Sequence, residues 1–83
     1  MLNIKILGSG CPNCQRLEAL TRQVLEQLSI EAEVYKVTDY IDIMKYKIMS
    51  TPGLVINEKV VSAGRIPSHA EITTFLTTAL TDN

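Results

Sequence analysis

Leu2-Asn3-Ile4-Lys5-Ile6-Leu7-Gly8-Ser9-Gly10-Cys11-Pro12-Asn13-Cys14 is the stretch that decides the fold. Leu2, Ile4 and Ile6 alternate with Asn3 and Lys5, so residues 2–7 read as a half-buried strand. Gly8-Ser9-Gly10 is a turn. Beyond it Cys14, Leu17, Leu20, Val24, Leu25 and Leu28 recur every three to four residues, the stripe of a helix over residues 12–29. Pro12 suits the first turn of that helix, where its missing N–H costs nothing. Two thiols three residues apart at a helix start lie within one turn and can close a disulfide. The unpaired N–H groups and positive dipole end of the helix favour a thiolate over a thiol there. The local chemistry is that of a redox dithiol.

The rest of the chain follows in order. Residues 31–37 alternate as a second strand. Thr38 or Asp39 can cap a second helix near 39–47, with Ile41, Met44 and Ile48 on its inward face. Ser50-Thr51-Pro52-Gly53 breaks the pattern. Leu54–Ile56 and Val60–Ala63 flank the turn Asn57-Glu58-Lys59 as a β-hairpin. After the loop Gly64-Arg65-Ile66-Pro67, Ser68 stands three residues before Glu71, a capping box for a last helix over 68–80. Its inward stripe is Ile72, Phe75, Leu76, Ala79 and Leu80. The order is βαβαββα. A right-handed crossover makes strands 1 and 2 parallel, and a four-stranded mixed sheet with helices on both faces follows.

With 83 residues the chain reads as a single domain, 1–83. A net charge of −1, scattered along the chain, carries no electrostatic footprint for nucleic acid or an anionic membrane. No apolar run approaches the roughly 20 residues of a membrane span. The N-terminus reads as a strand and not as a secretory signal, so a cytoplasmic protein is expected. The chain's two cysteines are too few for a disulfide scaffold, and their bridge closes too short a loop to stabilise much. Their use is chemical.

A Cys-Pro-x-Cys at the β1–α1 junction, a βαβ unit and a later Thr51-Pro52 before a hairpin resemble the thioredoxin/glutaredoxin superfamily. Within it the chain is most similar to small prokaryotic thioredoxin-like redox-active disulfide proteins, in which stretches like Ser50–Asn57 and Gly64–Ser68 are typical. The resemblance implies an α/β fold of the minimal thioredoxin-like kind. Its sheet order is 2-1-3-4, with strand 3 antiparallel to strand 1, helices 1 and 3 on one face and helix 2 on the other. It implies a thiol–disulfide oxidoreductase in which Cys11 attacks and the more buried Cys14 resolves, with Pro12 and a cis Pro52 as active-site support. Thr51 would offer backbone groups to a substrate chain, and Gly64 and Arg65 would border the groove. The chain departs from the pattern in three places. Gly10 stands where thioredoxins carry a Trp. The first strand offers only Asn3 and Lys5 where they keep a buried acid. Ala63–Ser68 replaces the Gly-Gly and acidic pair with which glutaredoxins hold glutathione.

The implied partners are disulfide-containing target proteins and an external reductant, either a thioredoxin-reductase-like flavoprotein or glutathione. The chain needs neither flavin, nicotinamide nor metal as a cofactor, and a monomer is expected. The competing class is a metal carrier of the copper-chaperone type, which also places Cys-x-x-Cys after its first strand. Such domains run βαββαβ and give Pro12 and Thr51-Pro52 no purpose. His69, the lone histidine, reads as a solvated surface residue, and Met44 and Met49 as core filler.

Overall fold

β1 (Leu2–Leu7) runs through the middle of the sheet, and its alternation sorts the whole protein into two layers. The computed structural model describes residues 1–81. After β1 come α1 (Pro12–Gln27), β2 (Ala32–Val37), α2 (Tyr40–Met44), β3 (Gly53–Ile56), β4 (Lys59–Ala63) and α3 (His69–Thr81). The sheet order is β2-β1-β3-β4. β1 is parallel to β2, with Ile4 opposite Val34, and antiparallel to β3, with Ile6 opposite Leu54. The expected α/β architecture, βαβαββα with order 2-1-3-4, is therefore what the chain adopts.

Leu2, Ile4 and Ile6 point to one face, where Leu17, Val24 and Leu25 of α1 and Ile72 and Leu76 of α3 cover them together with Leu54 and Ile56. Leu7 and Val55 point to the other, under Ile43 of α2. Ile4, Leu7, Leu17, Leu54, Ile72 and Leu76 are wholly buried. Each such side chain contributes about 1.5–3 kcal/mol of hydrophobic stabilisation. On α1 the inward stripe includes Thr21, which is fully buried and donates its hydroxyl to the Leu17 carbonyl at 2.7 Å. Leu28, expected in that stripe, caps the helix and lies exposed.

The second helix differs most from expectation. It has five residues and a different phase: Ile43 is buried, whereas Ile41 is 68% and Met44 54% exposed. Asp39 caps it, its carboxylate accepting the Ile41 N–H at 2.8 Å, and this fixes which side faces inward. Lys47 then adopts φ 59°, a left-handed conformation that costs a non-glycine residue about 1–2 kcal/mol. The chain turns there, so Tyr46 and Ile48 reach the Leu7–Val55 core from a loop rather than from a continuing helix. Met49, read as core filler, stands fully exposed beyond that turn. Phe75, expected in the inward stripe of the last helix, is only half-buried at the margin of the core, as is Val34 of β2.

The hairpin turn is Asn57-Glu58, with φ 49° and 68°. Positive φ at both residues matches the right-handed twist of the flanking strands. Glu58 reaches back to Lys5, at 2.6 Å, and Tyr46 joins them, its hydroxyl 2.8 Å from the ammonium. The Glu58 bond, then Tyr46, hold the Lys5 ammonium above its ordinary pKa, and Lys5 in turn pulls Glu58 below the usual carboxylate value. Among the described residues no helix is long and apolar enough to cross a membrane.

Candidate active site

The site is assembled where β1 ends and α1 begins. Cys11 is the N-cap of α1, with extended φ −64° and ψ 162°. Its Sγ accepts the Cys14 N–H at 3.2 Å, and its carbonyl accepts the Gln15 N–H at 3.0 Å. Pro12 occupies the first turn, as read from the sequence. Cys11 and Cys14 are joined in a disulfide with their Cα atoms 5.0 Å apart, within the range that a bridge requires. The two sulfurs are unequal in access. Cys11 is half-buried at the surface, whereas Cys14 is 5% exposed and turned into the protein.

Close approach explains how Cys14 fits there. A Cβ built on Gly8 would overlap Cys14 Sγ and lie 3.8 Å from the Thr51 Cβ. The missing side chain of Gly8 therefore lets both α1 and the loop before β3 come down onto the end of β1. By its place in the sequence Gly8 is only a turn residue. A glycine at the end of a strand just before the motif was the available signal.

Thr51–Pro52 is a cis peptide bond, and Pro52 is buried while Thr51 is exposed. The sheet pairings of β3 begin at Gly53, which leaves the Thr51 backbone outside the ladder. The Gly64 N–H donates to the Pro52 carbonyl at 2.9 Å, which brings the loop after β4 against the loop before β3. Gly64 has φ 79°, and a Cβ there would meet Ser50 Oγ, so the contact depends on glycine in both conformation and space.

Arg65 turns away from this cluster. Its guanidinium forks onto Glu71, with contacts of 3.2 and 2.6 Å. Glu71 also accepts the Ser68 N–H while Ser68 Oγ accepts the Glu71 N–H, completing the capping box of α3. Pro67 lies just before that cap and not within the helix. His69 is exposed and contacts Gln27 of α1. The Arg65 bond, then the Ser68 N–H, hold the Glu71 carboxyl down to about 2. Since a glutamate without such partners titrates near 4.5, the pair stabilises the fold fully above about pH 4.5 and loses that contribution as pH falls toward 2. Urea midpoints of wild type and Glu71→Gln should therefore differ at pH 6 and converge on acidification; a constant gap would contradict the pairing.

Two hollows flank the cysteines. One, of about 270 Å³, opens beside Thr51 between Ser9, Tyr40, Met44, Ile48 and Met49. The other, of about 110 Å³, lies behind Cys14 between α1 and the ends of β1 and β2. The phase of α2 and the turn at Lys47 leave Tyr40, Met44 and Met49 exposed around the first hollow. The two cysteines and the Thr51–Pro52 loop are thus brought together, with Gly64 behind them. Arg65 is committed to α3. The described elements run βαβαββα, unlike the βαββαβ order of the copper-chaperone alternative. Among the described residues no group of three or more His, Cys, Asp or Glu side chains is arranged to hold a metal ion.

Residues 2–77 match the family model described as "Thioredoxin domain". A thioredoxin of Methanocaldococcus jannaschii is 39% identical over 72 residues, covering 87% of this chain and 83% of the relative. A thioredoxin of Methanothermobacter thermautotrophicus is 36% identical over 72 residues, covering 87% and 94%. Among solved structures, chloroplastic thioredoxin z superposes with a TM-score of 0.69 at 21% identity, over 98% of this chain and 80% of that one. The germline-specific thioredoxin Deadhead of Drosophila melanogaster does so with 0.64 at 17%, over 93% and 79%. These two likenesses concern the fold alone. Together with the bonded cysteine pair at the start of α1, the sequence matches mean that this chain belongs to the thioredoxin domain family and is a thiol–disulfide oxidoreductase with Cys11 and Cys14 as its dithiol–disulfide couple.

Proposed function

We propose that the protein reduces or exchanges disulfides in target proteins by a two-step relay in which Cys11 attacks and Cys14 resolves. The observation that carries this reading is the unequal access of the two bonded sulfurs, Cys11 at the surface and Cys14 buried. In the reduced state the Cys14 N–H, 3.2 Å from Cys11 Sγ, and the helix dipole favour a thiolate on Cys11. That thiolate displaces one sulfur of a target disulfide and forms a mixed disulfide. Cys14 then attacks Cys11 Sγ, the target leaves as its dithiol, and the Cys11–Cys14 bridge closes. An external reductant restores the dithiol.

Family membership implies disulfide-bearing target proteins and a reductase in general. The finer reading assigns the chain 1–83 to one domain acting as a cytoplasmic monomer. Its reductant is a thioredoxin-reductase-like flavoprotein or glutathione. In this reading the target chain lies over Thr51, whose backbone stands outside the sheet ladder and can pair with an added strand. Pro12 and Pro52 shape the floor, and Gly64 forms the rim. Arg65 contributes to that rim only through the α3 cap, given its bond to Glu71.

Alkylation of the reduced protein by iodoacetamide against pH, read by mass spectrometry at each cysteine, tests the assignment. Cys11 is expected to react first and well below the pH near 8.5 at which an unperturbed thiol ionises. Cys14 reacting first, or both reacting only above that pH, would overturn it.

A further inference from the structure

The relay leaves a proton unaccounted for. Cys14 is buried, and desolvation opposes its ionisation, yet its sulfur must lose a proton as it attacks Cys11. The hollow of about 110 Å³ behind it is large enough for several waters. Besides Cys14, the titratable residues lining it are Glu18 and Lys36. Its other walls, from Ile6, Gly8, Gly10, Gln15 and Thr38, have no titratable side chain. Glu18 follows Cys14 by four residues on α1, so the two side chains lie on the same helix face one turn apart. The Glu18 side chain is 18% exposed. Its carboxylate faces Arg22 of α1 at 3.0 Å and Lys36 of β2 at 3.8 Å. Lys5 on β1 is not available for this task, since its ammonium is bound to Glu58 and Tyr46 on the opposite face of the sheet.

We infer that Glu18 is the proton acceptor for Cys14, reached through the hollow between them, a reading that rests on the two-step relay proposed above. As Cys14 Sγ bonds to Cys11 Sγ, the bond from Cys11 to the target sulfur breaks and the target leaves as a thiolate. The Cys14 proton passes to the Glu18 carboxylate and from there to bulk water. When an external dithiol reduces the Cys11–Cys14 bridge, the same carboxyl returns a proton to the departing Cys14 sulfur.

Stopped-flow reaction of the reduced protein with 5,5′-dithiobis(2-nitrobenzoate) separates the steps, since each releases one coloured thiolate. Cys11 attack gives the first and Cys14 closure the second. Glu18→Gln is expected to leave the first phase unchanged at pH 7 and to slow the second about tenfold or more, as loss of a general base does. That deficit should shrink as pH rises past the 8.5 or so of a free thiol and into the range where Cys14 ionises unaided. Glu18→Asp should recover part of the rate. An unchanged second phase, equal slowing of both phases, or a deficit undiminished at high pH would overturn the role of Glu18. A Cys14→Ser variant run alongside should stop after one equivalent. Release of a second equivalent from that variant would instead refute the relay itself.

Discussion

Cys11→Ser is expected to abolish disulfide reduction, and Cys14→Ser to stop it halfway with target proteins held in mixed disulfides. A serine hydroxyl at position 11 would still accept the Cys14 N–H and cap α1, so the helix start survives while the nucleophile is lost. At position 14 serine keeps the packing volume nearly constant but cannot displace the target from Cys11. The asymmetry between the variants is the informative part, because it follows from the difference in access between the two sulfurs. Reduction of insulin with dithiothreitol, followed by turbidity, should fall to the protein-free rate for Cys11→Ser. Non-reducing electrophoresis after incubation with oxidised substrate should show adducts for Cys14→Ser alone. Adducts with Cys11→Ser and none with Cys14→Ser would reverse the assignment. Stability should be compared with reduced wild type, in which the bridge is likewise absent.

Gly8→Ala is expected to destabilise the oxidised protein more than the reduced one. The new Cβ would overlap Cys14 Sγ and press toward Thr51. While the bridge is closed, the sulfur cannot rotate away, so α1 or the end of β1 has to shift. Overpacking of this kind costs about 1–3 kcal/mol. In the reduced protein the Cys14 side chain can turn to another rotamer and escape part of that cost. The dithiol form is thereby favoured, and at about 30 mV per 1.4 kcal/mol the reduction potential should rise by roughly 20–60 mV. Equilibration in dithiothreitol redox buffers, with urea unfolding of both states, measures both quantities. An oxidised variant as stable as wild type, with an unchanged potential, would show that Gly8 does not set the seat of Cys14.

The order of elements, the parallel pairing of β1 with β2 and the place of the dithiol were legible in the sequence because each rests on local or short-range rules. Strand and helix periods differ, Pro12 and the capping residues mark helix starts, and a βαβ crossover has one hand. The capping box of Ser68 and Glu71 was legible for the same reason. What the tertiary structure alone decided concerns pairs distant in sequence or helices too short to declare a phase. With five residues, α2 offers barely more than one turn of periodicity, so its inward side is set by the Asp39 cap and by the Leu7–Val55 surface that receives Ile43. Arg65 is an unassigned loop cation in sequence, and only the spatial return of Glu71 commits it to α3. Gly8 beneath Cys14 and Glu18 beside Lys36 depend on how closely α1 settles on the sheet, a distance that no spacing along the chain encodes.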